Sequence, residues 1–180
     1  MIEWSKINSS EFEEIAYYYI SSRYPDVNWV STKKTRDGNK DGEEQYTAPL
    51  NSTIKYWYEA KYSKNASQSI PKSHLDSTLV SCSLDGKVVL IAFITNAYIS
   101  DDYRRRADIF SKQRDNLKII YINGVEIEDW LYENPDIELK YFYKNTAEQQ
   151  NFKDYIINAC VLQGYDLYGN NFSEKKCGMW

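Results

Sequence analysis

Apolar residues recur along this chain with two different periods, and the changes of period mark out its elements. Phe12, Ile15, Ala16, Tyr19 and Ile20 fall at i, i+3, i+4, i+7 and i+8, the stripe of a helix buried on one side. That spacing predicts a helix capped at Ser9 or Ser10 and running to about Arg23, with Pro25 closing it off. A strand over 27–32 follows, then a hairpin of strands 44–50 and 54–61 around a turn at 51–53. Pro71 opens a helix to about Leu84 that turns Leu75, Leu79 and Cys82 inward. Residues 87–95 are the most apolar run and read as a central strand covered on both faces. A charged helix over 101–115, a buried strand over 117–122 and a helix over 125–132 come next. The strand, helix, strand alternation from 87 to 122 suits a parallel pair joined by a right-handed crossover.

The organisation changes after Pro135. Residues 136–143 alternate as a strand would, 146–162 read as a helix, and 164–180 are rich in Gly, Asn and Lys without an evident element. The expected arrangement is an α/β domain over 1–135 followed by an appendage or connector over 136–180. The chain stops at Cys177-Gly-Met-Trp180 without an obvious final element. It reads as the amino-terminal part of a longer protein, or as a small protein with an appended subdomain.

Composition narrows the class. A chain of 180 residues can bury one core, and 42% hydrophobic with 27% charged residues is ordinary for a globular domain. Seventeen tyrosines and five tryptophans point to aromatic core packing or to an interface. No run reaches transmembrane length and the first ten residues lack the layout of a secretory signal, so no membrane partner is expected. Cys82, Cys160 and Cys177 are odd in number and have no metal-ligand spacing, which reads as reduced thiols in a cytoplasmic protein. No repeat and no Gly-rich P-loop is present, so these residues carry no nucleotide-hydrolysis engine.

The chemistry gathers at Thr35-Arg-Asp-Gly-Asn-Lys-Asp-Gly42 and at Tyr56-Trp-Tyr-Glu-Ala-Lys61. Side chains alternate along a strand, so Glu59 and Lys61 project to one side and Ala60 to the other. The hairpin brings Asp41, at the base of its first arm, beside Glu59 at the end of its second. Two carboxylates there suit a hard cation such as magnesium, which keeps several waters and takes few protein ligands. Lys61 would orient or deprotonate the attacking water, or neutralise charge building on a phosphate. A Glu-x-Lys pair is also common as a solvated surface pair; the aromatic run before it argues for a half-buried strand instead.

Other residues are placed by the same geometry. On the first helix Glu13 stacks with Ala16 and Ile20 and looks inward, whereas Glu14 points away from the stripe. Asp26 belongs to the helix-to-strand turn and Asp37 shapes the glycine bend. His74, the only histidine, has no partner for zinc and is left with a surface or phosphate-contacting role. The net charge of −4 is unusual for a chain that grips DNA, where phosphate neutralisation supplies most of the affinity. Positive charge is local: Lys33, Lys34, Arg36 and Lys40 flank the proposed site, and Arg104, Arg105 and Arg106 sit on a later helix.

In this order, Trp4, Glu11-Phe-Glu13, Arg36-Asp-Gly-Asn-Lys-Asp-Gly42, Glu59-Ala-Lys61, Ala92-Phe-Ile-Thr-Asn96 and the segment from Gly124 to Leu131 resemble the Mrr-like branch of the PD-(D/E)xK restriction-endonuclease superfamily. The resemblance implies a restriction-endonuclease-like core, with a central mixed β-sheet flanked by helices, and magnesium-dependent cleavage of double-stranded DNA, manganese substituting for magnesium. It implies metal held by Asp41, Glu59 and the backbone carbonyl of Ala60, with Glu13 completing the shell, and Lys61 serving the water. Similar domains act as effectors of restriction or antiviral defence, as oligomers or fused to regulatory NTPase domains. The family often has Gln or Cys near the Glu59 position, so substrate preference does not follow from the match. Two other classes remain open: a nucleic-acid-binding module without cleavage, and an aromatic-rich interaction domain.

Overall fold

The computed structural model describes residues 2–31, 41–48, 52–114 and 116–162. The chain divides into two compact units, Met1–Glu133 and Asn134–Trp180.

The first unit is built on a five-stranded sheet in the order β1-β2-β3-β4-β5. Its strands are β1 (Val30–Ser31), β2 (Gly42–Ala48), β3 (Ser52–Lys61), β4 (Val88–Thr95) and β5 (Lys118–Ile122). β1, β2 and β3 pair antiparallel, while β3, β4 and β5 run parallel, so the fold is α/β with a mixed sheet. The parallel connections are α2 (Lys72–Leu84) and α3 (Asp101–Lys112); α1 (Ser9–Arg23) and α4 (Gly124–Glu133) complete this unit's α-helices.

Each strand face buries against a different layer. Trp57 on β3 and Ile91 and Phe93 on β4 join Leu75, Leu79, Cys82, Tyr103 and Ala107 of α2 and α3 in one apolar cluster. Side chains alternate, so Tyr58, Ala60 and the following Tyr62 turn to the opposite layer. There Tyr62 lies against Phe12 of α1 at a ring distance of 6.0 Å. Its hydroxyl donates to the carbonyls of Trp4 and Ile7, each at 2.9 Å. α4 joins α1 through the Tyr19–Trp130 edge contact at 5.5 Å. The Arg23–Glu133 ion pair adds to it.

The α1 stripe is buried as its spacing predicts, but the cap lies one residue earlier than expected. Asn8 Oδ1 accepts from the amides of Ser10 and Glu11, and Glu11 Oε2 accepts in return from the Asn8 amide. This reciprocal box satisfies donors that Ser9 would have left open. β2 likewise begins at Gly42 instead of residue 44, which sets Asp41 immediately before the strand.

In the second unit, 136–143 is not a strand. Pro135–Phe142 forms helix α5, followed by α6 (Thr146–Leu162). Pro135 at the helix start and Asp136 and Glu138 in the first turn favour a helix, and buried Glu138, Tyr141 and Phe142 fall at i, i+3 and i+4. The charged and apolar alternation that suggested a strand is compatible with this stripe as well. Among the described residues, no helix is long and apolar enough to cross a membrane.

Candidate functional site

The site forms where β2 starts and β3 ends. The Asp41 amide donates to the Tyr58 carbonyl at 3.0 Å, continuing the β2–β3 ladder by one residue. Its carboxylate turns in the same direction, and Oδ2 accepts from the Ala60 amide at 2.7 Å. Backbone and side chain of one aspartate thus hold two successive turns of the β3 pleat. Gly42 makes this approach possible, because a Cβ there would lie 2.0 Å from the Tyr58 ring. Tyr58 has little room to retreat, being buried and wedged against Trp29 at a ring distance of 5.7 Å.

Glu59 faces the α2 and α3 layer, opposite Phe93 in the register, and is 2% exposed. A buried carboxylate is costly without a cation, and Lys61 Nζ supplies one by pairing with Glu59 Oε1. Burial alone would depress the Lys61 ammonium, but the charge and hydrogen bond of Glu59, with Asp41 and Glu13 adding to them, carry it above its ordinary value. Lys61 is therefore a cation throughout the neutral range. Three acidic residues, from α1, from the position before β2 and from β3, act on one ammonium at the end of β3.

Glu13 is half-buried and Glu14 exposed, as the helical period requires. Glu13 also acts on Tyr58, whose hydroxyl is pushed up chiefly by burial, against a hydrogen bond with Ser31. Both glutamates line a cleft of about 250 Å³ with Ser10, Tyr17, Tyr18 and Ser31. Among the described residues, no three His, Cys, Asp or Glu side chains are grouped so as to hold a metal ion. Asp41, just before β2, and Glu59 on β3 nonetheless provide two carboxylates, a donor type suited to a hard cation that keeps most of its waters.

Lys33, Lys34, Arg36, Lys40 and Asp37 lie outside the described residues. Asp26 sits in the turn after α1, as the sequence reading had it. The three arginines of α3 separate. Arg106 lies near Asp76 and Asp102 at 3.9 and 3.8 Å, and Arg105 is exposed. Arg104 instead stacks over the Tyr121 ring at 5.3 Å and lines a cleft at the strand ends.

Two more residues belong to this neighbourhood: His74, read from the sequence as surface or phosphate-contacting, and Tyr103, which that reading did not single out. His74 is lowered from its ordinary value by burial and then by the Lys61 charge, so it is neutral beside a cation. Tyr103 is fully buried, edge-on to Phe93 at 5.8 Å, and its hydroxyl is raised by burial, by Tyr121 and by the Glu59 charge. Neither His74 Nδ1 nor the Tyr103 hydroxyl has a hydrogen-bond partner among the described residues. A parallel crossover places the first turn of its helix beside the end of the preceding strand, and His74 is three residues past Pro71. That topology was the available signal for His74. No family model matches the chain, and no curated protein is significantly similar to it.

Proposed function

We propose that this chain is a magnesium-dependent endonuclease that hydrolyses phosphodiester bonds of DNA, an Mrr-like member of the PD-(D/E)xK nucleases acting in the cytoplasm as the effector of a restriction or antiviral defence protein. The observation that supports it best is the double hold of Asp41 on β3, which fixes one carboxylate on the Ala60 amide, between the buried Glu59 and its partner Lys61 in the chain. The mixed sheet with helices on both faces is compatible with it.

In this reading Asp41, Glu59 and the Ala60 carbonyl hold the ion, and Glu13 reaches it directly or through water. Magnesium, or manganese in its place, supplies Lewis-acid stabilisation and an acidified water when bound. Lys61 orients or deprotonates the attacking water, or offsets the charge that gathers on the phosphate. Glu59 holds that ammonium at the strand end. An acidic domain whose DNA-facing basic residues are confined to Lys33, Lys34, Arg36, Lys40 and the arginines at 104–106 grips DNA weakly by itself, so a second copy or a fused regulatory domain supplies further contacts.

The test is incubation of the purified chain with supercoiled plasmid, with magnesium, with manganese and with chelator. Nicking or linearisation that needs the metal and disappears in Lys61→Ala is expected, rising more steeply than linearly with protein concentration. Plasmid left intact across the concentration series in both metals overturns the reading.

A further inference from the structure

A cleft of about 680 Å³ opens at the C-terminal ends of β4 and β5, on the edge of the sheet where β3 delivers Lys61. Its wall is rigid for local reasons. Asn96, 3% exposed, accepts from the Ser63 amide at 2.8 Å and donates to the Ser63 carbonyl at 2.7 Å. α4 starts flush against it, since a Cβ on Gly124 would stand 2.6 Å from the Asn96 carbonyl oxygen. Trp4, Tyr98, Ile99 and Val125 make much of the lining apolar.

The polar groups of the cleft divide into occupied and available ones. Asn96 is held by Ser63, and Asn123 caps α4 through the Val125 and Glu126 amides. Glu128 accepts from Trp4 Nε1 at 3.1 Å through Oε1, and a carboxylate has capacity for further donors. Arg104 adds a guanidinium at the rim. The exposed Tyr98 ring, the Glu128 carboxylate and the Arg104 guanidinium match the base face, the base amine and the phosphate of a nucleotide. Bases stack on aromatic rings, a carboxylate accepts from the exocyclic amine of cytosine, and a guanidinium pairs with phosphate.

The cleft also lies at the right distance from the candidate site. Lys61 pairs in register with Thr95, whose Oγ1 donates to the Lys61 carbonyl at 2.6 Å. The wall residue Asn96 follows at once, so the cleft begins about 5 Å, one strand spacing, from the Lys61 backbone. We propose that this cleft is a nucleotide subsite, holding the base of a residue that neighbours the scissile phosphate and favouring cytosine through Glu128. The assignment rests on the nuclease reading for the word scissile, but the binding itself is testable without it. It also supplies affinity that a chain of net charge −4 does not obtain from phosphates alone.

The experiment is titration of the full chain, in chelator, with dCMP, TMP, deoxycytidine and inorganic phosphate, followed by ligand-observed NMR. The expected order is dCMP tightest, TMP weaker and phosphate weakest. Val125→Trp, which fills the mouth from a position 68% exposed on α4, should weaken dCMP about tenfold. Arg104→Ala should weaken dCMP but not deoxycytidine. Val80→Trp, at an exposed position on α2, serves as the control and should bind as the parent does. Circular dichroism verifies that each variant is folded. Equal binding of dCMP and phosphate, or a folded Val125→Trp that binds dCMP like the parent, overturns the subsite. Binding as expected with plasmid left intact removes the nuclease reading and keeps the cleft; cleavage without nucleotide binding does the reverse.

Discussion

The two faces of β3 are both buried, yet they are finished in different ways. Towards α1, Tyr58 and Tyr62 flank the small Ala60 and end in ring hydroxyls, with Tyr62 donating to two backbone carbonyls and Tyr58 wedged by Trp29. Towards α2 and α3, the apolar run of Trp57 gives way to an ion pair, Glu59 with Lys61, at a depth where one of the partners is 2% exposed. Orphaned atoms occur on each side, Trp29 Nε1 on the first and the Tyr103 hydroxyl and His74 Nδ1 on the second. On the second they lie in the field of a charged pair. A face closed by neutral hydrogen bonds stabilises; a face that retains charge at the end of a strand holds capacity for chemistry. Asp41 joins the two, because its carboxylate is fixed to the backbone between them.

The largest expected effect is on the charged face. Asp41→Ala, Glu59→Ala and Lys61→Ala should each lower metal-dependent cleavage by orders of magnitude, and double substitutions should lose little more, because the groups act as a unit. Lys61→Ala also strands a buried carboxylate, at a cost of about 3–5 kcal/mol, whereas Glu59→Gln with Lys61→Met removes both charges and should restore much of that stability. Denaturant unfolding beside plasmid cleavage separates the two effects. Cleavage by Lys61→Ala at the parental rate would dissolve the contrast between the faces.

Gly42→Ala strikes the other face first. Its methyl would displace the Tyr58 ring, and overpacking of this kind costs about 1–3 kcal/mol. Since Asp41 is the adjacent residue, cleavage should fall with stability. An unchanged melting temperature would mean that Tyr58 has more room than its contacts with Trp29 allow.

The pair Glu13 and Glu14 sharpens the comparison from α1. Glu13→Gln should weaken metal-dependent cleavage severalfold and raise the metal concentration needed, while Glu14→Gln should leave both nearly as they are. Equal effects in a metal titration would place the two glutamates on an equal footing.

The smallest effect is a dependence on pH. His74 has its folded-state value depressed, so the unfolded chain binds its proton more readily and stability falls as pH drops from about 6.5 toward the folded value. His74→Gln should flatten that part of the stability profile measured between pH 7 and 5. Lys61 shifts the other way, so its contribution is complete below about pH 10.4 and is lost only above it; cleavage should show no loss from Lys61 between pH 7 and 9.

Local signals carried a large part of this protein. A five-residue stripe determined α1 and the inward turn of Glu13, strand alternation put Glu59 and Lys61 on one face, and the apolar run at 88–95 with its flanking helices implied the parallel strands. These follow from backbone periodicity and need no partner to be known. Where two periods fit the same letters, as at 136–143, the sequence did not decide, and the helix-start residues from Pro135 to Glu138 go with the helical outcome. Long-range placement belonged to the tertiary structure alone. That Asp41 would hold the Ala60 amide, that Arg104 would part from Arg105 and Arg106, and that His74 and Tyr103 would come within the field of Lys61 and Glu59 depend on strand register and helix packing. Those relations join residues 13 to 44 positions apart, and no local period encodes them.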